Sequence, residues 1–127
     1  MRRLLLDTHA LLWWLGDATE LGEQARGAIM RADAAFVSAA SAWEIAIKRA
    51  LGKLTVPEGL SAVVLEEGFL ELPITLAHSE RAGGLPAHHR DPFDRMLIAQ
   101  AQAEELVLVT ADCRINRYDV QTLAAGV

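Results

Sequence analysis

Two short apolar runs that each lead to an aspartate most limit how this chain can fold. Leu4–Leu6 leads directly into Asp7, and Leu106–Val109 leads through Thr110 to Asp112. Because neither run alternates with polar residues, each predicts a strand that is buried on both faces of a sheet. An acid just after such a strand lies at the carboxyl edge of the sheet, where open α/β folds place their functional sites.

The segments between these runs predict helices and further strands joined by short connections. Thr8 is the predicted cap of the first helix, which covers 10–15, and Pro92 begins the last helix. The other predicted helices cover 21–31, 38–51, 60–67 and 76–82, and the other predicted strands cover 35–37, 69–72 and, at an edge, 118–123. This alternation predicts an α/β fold with three α/β/α layers and a mostly parallel sheet of four to five strands.

Composition narrows the class of protein further. A chain of 127 residues predicts one domain, 1–127, and a net charge of −5 argues against binding nucleic acid by bulk electrostatics alone. The one cysteine, Cys113, excludes an internal disulfide and fits a reducing compartment. No segment reaches the roughly 18 apolar residues of a membrane span. We therefore expect a cytoplasmic protein without a membrane segment.

Two further acids lie in predicted helices that start at the same sheet edge. Glu44 falls in the first turn of the helix over 38–51, where a capping box with Ser41 or a pair with Lys48 would explain it locally. The expected apolar stripe of that helix consists of Trp43, Ala46, Ile47, Ala50 and Leu51.

Asp94 is harder to explain by local structure. Asp91 is the predicted N-cap of its helix, so Asp94 falls in the first turn, where an acid suits the helix dipole. It shares a face with Leu97 and Ile98, however, and therefore points toward the sheet. An unpaired charge there is costly, so Asp94 is a candidate functional group.

The sequence therefore predicts that four carboxylates lie at one rim of the sheet, those of Asp7, Glu44, Asp94 and Asp112. Such a group is self-repelling, and a divalent cation would relieve the repulsion. Oxygen ligands favour Mg²⁺ or Mn²⁺, and the adjacent histidines 88 and 89 are not expected to reach one metal together. A cation held by acids suits phosphate ester chemistry, since it can orient and deprotonate a water. Arg90 and Arg95 could then hold phosphate oxygens.

The ordered motifs also resemble a known family. They are Leu5-Leu6-Asp7-Thr8-His9, Trp43-Glu44-Ile45-Ala46-Ile47-Lys48, His89-Arg90-Asp91-Pro92-Phe93-Asp94-Arg95-Met96-Leu97-Ile98-Ala99-Gln100-Ala101, and Leu108-Val109-Thr110-Ala111-Asp112. Together they resemble the PIN domain, and in particular the VapC-type toxins of bacterial toxin–antitoxin pairs.

The resemblance implies a Mg²⁺- or Mn²⁺-dependent endoribonuclease toxin that forms a homodimer and is silenced by a VapB-like antitoxin. It implies that the acidic positions of the family fall on the four acids named above. The expected supporting or substrate-binding residues around them are Thr8, Arg90, Asp91, Arg95 and Thr110. The adjacent Trp13 and Trp14 independently favour a homodimer, because one thin helix cannot turn both toward the core.

Two other classes of function compete with this interpretation. A metal-dependent phosphatase or a receiver-like phosphate-handling domain also uses aspartates at strand ends. A receiver needs paired acids near strand one and a late lysine, but Asp7 has no acidic neighbour until Asp17 and no lysine follows Lys53. A non-catalytic PIN-like binding module would have no need for all four acids.

Overall fold

In the computed structural model, which describes residues 2–56 and 58–127, the predicted α/β fold is confirmed. The strands of the described part are β1 (Arg3–Leu6), β2 (Ala34–Ser38), β3 (Leu70–Leu72), β4 (Val107–Thr110) and β5 (Thr122–Ala124). They form one sheet in the order β3-β2-β1-β4-β5, and every neighbouring pair is parallel. β1 is therefore central, and its carboxyl end opens at the middle of one sheet edge.

Helices cover both faces of the sheet, which gives the three predicted layers. They are α1 (Thr8–Leu15), α2 (Glu23–Arg31), α3 (Ala39–Ala50), α4 (Leu60–Glu66), α5 (Leu76–Gly83) and α6 (Pro92–Glu104). Leu4 and Leu6 point into a core cluster with α1 and α2, whereas Leu5 points into a second cluster with α6. The side chains of Leu4–Leu6 alternate between two apolar environments, which is why this part of β1 lacks polar residues.

Two predicted helix caps were wrong. Asp7, rather than Thr8, caps α1, because its side chain accepts a hydrogen bond from the backbone of Ala10. The cap of α3 is Ser38, so the predicted capping box between Ser41 and Glu44 does not form. Because α3 begins at Ala39, Glu44 lies in its second turn instead of its first.

The predicted apolar stripe of α3 was also wrong. Trp43 and Leu51 are each 63% exposed. The buried residues are instead Ala40, Ser41, Glu44 and Ile45. Small and polar residues suit this inner face because α3 packs against α1 and α6 beside the proposed site. The outer aromatic residue, Trp43, contacts Phe93 edge to face with 5.4 Å between the ring centroids.

The two adjacent tryptophans share one environment. Trp13 and Trp14 are both partly buried and pack against the core cluster on the α1 side of the sheet. Trp14 contacts Phe69 edge to face at 6.0 Å between ring centroids. These residues therefore do not supply the exposed apolar surface on which the homodimer prediction partly rested. In the described parts of the chain, no helix is long and apolar enough to cross a membrane.

Candidate active site

The end of β1 places Asp7 at the floor of the candidate site. Its side chain is 4% exposed, and Oδ1 accepts a hydrogen bond of 2.8 Å from the backbone N–H of Ala10. Burial raises the pKa of Asp7, although a hydrogen bond from the Thr110 side chain and the Ala10 bond act in the opposite direction. A buried carboxylate whose charge is this costly is a natural place for a cation.

Glu44 reaches the same region from α3 and is held on both oxygens. Oε1 accepts a hydrogen bond of 2.7 Å from the hydroxyl of Thr8, and Oε2 lies 2.8 Å from Nζ of Lys48. The expected pair with Lys48 is thus present, and its hydrogen bond raises the pKa of Lys48. The Thr8 hydroxyl also lies 3.1 Å from Oγ of Ser41, so Thr8 joins α1 to α3.

Asp94 enters from α6, whose N-terminus has the predicted form. Asp91 is the N-cap and Oδ1 accepts from the backbone N–H of Phe93 and Asp94, while Pro92 takes the first position. The pKa of Asp94 is raised to about 6, mainly by burial and also by the charges of Asp91, Asp7 and Glu44, whereas the charge of His89 acts in the opposite direction. Three other acids, two of them from outside α6, therefore act on one carboxyl group.

Asp112 follows β4 and is the acid with the strongest compensation. Arg114 binds it through two nitrogens, with Nε 3.1 Å from Oδ1 and Nη2 2.8 Å from Oδ2. This hydrogen bonding is the main reason why the pKa of Asp112 is lowered to about 2. Thr110 accepts a hydrogen bond of 3.1 Å from the backbone of Asp112, which fixes the turn after β4.

His89 joins two of the four acids, and sequence reasoning missed this. Its Nε2 lies 2.9 Å from Oδ2 of Asp94 and 3.1 Å from Oδ2 of Asp112. The ligand atoms of these three residues all lie within 4.8 Å of one another. The only sequence signal was the position of His89 directly before Arg90 and Asp91, since nothing local indicates which distant acids it contacts.

The two arginines expected to hold phosphate lie in different environments. Nη1 of Arg95 donates to the carbonyls of Pro86 and His89 at 2.9 and 3.3 Å, and Nη2 donates to those of Ala82 and Leu85 at 2.9 Å each. Both terminal nitrogens are engaged, so the geometry does not support phosphate binding and assigns Arg95 to holding this loop. Arg90 is exposed, and a phosphate contact by Arg90 stays a prediction.

The donor set fits a hard divalent cation. Asp7, Asp94 and Asp112 offer carboxylate oxygens at one sheet edge, and such ligands suit Mg²⁺ or Mn²⁺. The chain itself offsets part of the negative charge through Lys48 and Arg114. Asp7 and Asp94 have raised pKa values, mainly because burial disfavours their charged forms, and a bound cation would stabilise those forms.

The raised pKa of Asp94 predicts a pH-dependent stability of the metal-free protein. The carboxyl group keeps its proton up to about pH 6 in the folded state but only to about 3.8 when unfolded, so stability falls as pH rises between these values. We expect Asp94→Asn in EDTA to be more stable than wild type at pH 7.5, by up to about 3 kcal/mol, and equally stable near pH 3.5.

Thermal unfolding in EDTA across pH 3.5–8 measures this difference. Asp17→Asn is the matched control, because the Asp17 side chain is 91% exposed and pairs only with Arg26 among the described residues. A stability gain for Asp94→Asn that is absent at pH 7.5, or equally large at pH 3.5, would contradict the electrostatic origin of the effect.

Comparison with known proteins identifies the family. Residues 4–121 match the family model of the PIN domain. The chain therefore belongs to the PIN domain family, and the resemblance inferred from its motifs is confirmed.

The chain is similar to a bacterial ribonuclease and, in its fold, to several solved bacterial complexes. The chain is 31% identical over 121 residues to Ribonuclease VapC22 of Mycobacterium tuberculosis, covering 93% of each chain. Its fold is similar to that of VapBC2 from Rickettsia felis bound to a promoter DNA fragment, with a TM-score of 0.70, 12% identity, and coverage of 95% of this chain and 97% of that one. A toxin–antitoxin complex from Klebsiella pneumoniae has a TM-score of 0.67 and 17% identity, with coverage of 96% of this chain and 97% of that one. FitAcB from Neisseria gonorrhoeae has a TM-score of 0.68 and 16% identity, with coverage of 96% of this chain and 97% of that one.

Proposed function

We propose that this PIN domain is a divalent-metal-dependent endoribonuclease, the toxin of a VapBC-type toxin–antitoxin pair. The observation that carries the proposal is the meeting of acids from four separate elements at one sheet edge. The charges of Asp7 and Glu44 act on Asp94, and His89 bridges Asp94 and Asp112. The similarity to Ribonuclease VapC22 favours RNA as the substrate.

The roles of the residues follow from their positions. Asp7, Glu44, Asp94 and Asp112 are the proposed catalytic and metal-holding group, and Thr8 holds the carboxylate of Glu44 by a hydrogen bond. A bound Mg²⁺ or Mn²⁺ would supply Lewis-acid stabilisation of the attacked phosphate and activate the attacking water. Carboxylate oxygens suit both ions, and we propose Mg²⁺, or Mn²⁺ in its place, as the working cation.

Supporting roles fall on the neighbouring polar residues. Asp91 accepts a hydrogen bond from the backbone of Asp94 and so fixes the position of Asp94 in the first turn of α6. Thr110 accepts a hydrogen bond from the backbone of Asp112 and so fixes the turn that carries Asp112. Arg90 is exposed beside this cap, and we propose that it contacts an RNA phosphate.

Other functions are less consistent with the molecule. A phosphatase or receiver-like domain would be outside the PIN domain family to which residues 4–121 belong. A non-catalytic binding module is not favoured, because the four acids stand together at the position where an open α/β sheet carries its active site.

A cleavage assay with and without chelator tests the proposed function. We expect the purified protein to cut single-stranded or loop RNA in Mg²⁺ or Mn²⁺, and to lose activity in EDTA with recovery when the cation returns. A DNA of the same sequence serves as the substrate control. Full activity in EDTA, or no cleavage of any RNA under conditions where Mn²⁺ binds, would contradict the proposal.

An antitoxin is the proposed protein partner. An apolar cleft of about 430 Å³ lies between α1 and the segment leading into α4, and it could accept apolar side chains of such a partner. Its lining comprises Leu12, Leu15, Gly16, Leu54, Thr55, Val56, Leu60 and Val63. Loss of RNA cleavage on adding a VapB-like antitoxin, measured in the same assay, is the corresponding test.

We further propose that the protein forms a homodimer through the edge of the sheet. Three large apolar residues within seven positions are exposed: Leu70 on β3, Ile74 in the connection after it, and Leu76 at the start of α5. The most exposed is Leu76, at 85%. A two-fold contact would bury them. We expect a dimer at micromolar concentration by sedimentation, and Leu76→Glu should weaken it. Met30→Glu is the control, since Met30 is 72% exposed on a different helix. A monomeric wild type would contradict the proposal.

The remaining proposals concern organisation and location. Residues 1–127 are proposed to form a single domain, because the apolar clusters lie on the two faces of one sheet. We propose a cytoplasmic protein, because its proposed RNA substrate is found there and the exposed Cys113 is unpaired in the structure. Fractionation of cells that produce the protein would test the location.

A further inference from the structure

His89 is a buried polar residue that the proposed chemistry does not use. It lies in the loop before α6 and is only 5% exposed, whereas its neighbours His88 and Arg90 are both exposed. Its ring reaches the carboxylates of Asp94 and Asp112, which come from different elements. The role of this buried ring depends on which of its two nitrogens carries the hydrogen.

The hydrogen bonds of the ring assign its tautomer. Nδ1 of His89 accepts a hydrogen bond of 3.2 Å from the backbone N–H of Asp91. The backbone nitrogen can only donate, so Nδ1 supplies a lone pair and the ring hydrogen lies on Nε2. Nε2–H then donates to Oδ2 of Asp112 at 3.1 Å and lies 2.9 Å from Oδ2 of Asp94. A nitrogen that carries hydrogen has no lone pair for a metal ion.

The backbone around His89 is fixed from two sides. Its N–H donates to the hydroxyl of Tyr118 at 2.9 Å, and that hydroxyl donates to the carbonyl of Pro86 at 2.7 Å. Its carbonyl accepts from Nη1 of Arg95 at 3.3 Å. The Tyr118 and Arg95 contacts hold the main chain, and the Asp91 contact holds the ring, so the direction of Nε2–H is set by the surrounding structure.

We propose that His89 is a positioning residue of the metal site, which orients the carboxylates of Asp94 and Asp112 through Nε2–H and is not itself a ligand. The inference rests on the proposed cation site but not on RNA being the substrate. Nε2 lies within 3.1 Å of Oδ2 of both acids, so Oδ1 of Asp94 lies outside this contact and is available to a cation. Partners that orient metal-binding carboxylates commonly change metal affinity 10–100-fold when they are removed.

Two conservative variants separate the two ring nitrogens. In His89→Gln the side-chain amide can place an N–H near the position of Nε2, whereas in His89→Asn the shorter amide reaches only the position of Nδ1. We expect His89→Gln to keep Mn²⁺ affinity within about threefold of wild type, and His89→Asn and His89→Ala to weaken it about tenfold or more, by calorimetry. His88→Ala is the control, since it removes a neighbouring imidazole that is exposed and contacts the ring of Tyr118 and not the acids.

Pulsed electron paramagnetic resonance of bound Mn²⁺ provides a second measurement that a merely structural role would not change. We expect no directly coordinated imidazole nitrogen in wild type. A coordinated histidine nitrogen, a His89→Gln variant as weak as His89→Ala, unchanged affinity in all three variants, or a wild type that binds no Mn²⁺ would overturn the proposal. A wild type that binds Mn²⁺ with the predicted variant order but cleaves no RNA would instead contradict only the proposed function.

Discussion

Asp7→Asn should abolish RNA cleavage while leaving the protein folded. Asn is as good an N-cap as Asp, so the variant keeps the hydrogen bond from Ala10 that begins α1. It loses only the negative charge at the floor of the site. We expect kcat to fall by roughly 10²–10³-fold or more, because a charge that acts on the reacting phosphate through a cation is worth several kcal/mol in a buried site.

The measurement is single-turnover cleavage of a fluorescent RNA, together with Mn²⁺ titration and thermal unfolding of the same preparations. Asp17→Asn removes the same charge from an exposed carboxylate and should behave as wild type in all three. Unchanged Mn²⁺ affinity in Asp7→Asn would show that Asp7 is not part of the metal site. Lost activity together with lost folding would instead show that Asp7 acts mainly through the stability of the fold, and not through its charge in the metal site.

The fold was readable from sequence because its signals are local. Leu4–Leu6 carries no polar residue, and in the structure it is the central strand with both faces covered. Asp91 as the N-cap and Pro92 as the first helical residue likewise predict the start of α6 from neighbouring residues alone. Acids at strand ends could be assigned to one edge because all strands of a parallel sheet end on the same side.

Contacts between distant segments were not readable in the same way. His89 contacts Asp112, which is 23 positions later, and Arg95 serves carbonyls of a loop that comes before it in the chain. Sequence reasoning therefore treated Arg95 as a free cation. It also placed Trp43 in the core because Trp43 is apolar, whereas the face of α3 that is buried carries Ala40, Ser41, Glu44 and Ile45.

These contacts change the electrostatic argument for the site. The sequence alone predicts four acids that require a cation in order to coexist. In the structure Lys48 pairs with Glu44 and Arg114 pairs with Asp112, so these two acids already have cationic partners. Asp7 and Asp94 keep raised pKa values, and the case for a cation now rests mainly on these two aspartates.

The products of RNA cleavage should carry 5′-phosphate and 3′-hydroxyl ends. Attack by water in line with the leaving 3′ oxygen gives these ends, whereas attack by the RNA 2′-hydroxyl gives a 2′,3′-cyclic phosphate. The second route needs a free acid–base pair, commonly histidine. His89 is engaged with Asp94 and Asp112 through Nε2 and with Asp91 through Nδ1, so neither ring nitrogen is free to serve.

Mass spectrometry of a short RNA cut at one site distinguishes the two routes, because water attack leaves the phosphate on the downstream fragment whereas 2′-hydroxyl attack leaves it on the upstream fragment. We expect more than about nine-tenths of the product to carry 5′-phosphate, because cleavage without the cation should be slower by several orders of magnitude. The same RNA with a single 2′-deoxy substitution at the cut site separates chemistry from recognition. Water attack does not use the 2′-hydroxyl, so this substrate should still be cut at the chemical step. Cyclic phosphate ends in wild type, together with complete resistance of the 2′-deoxy substrate, would contradict the hydrolytic mechanism and would assign the acids a structural role.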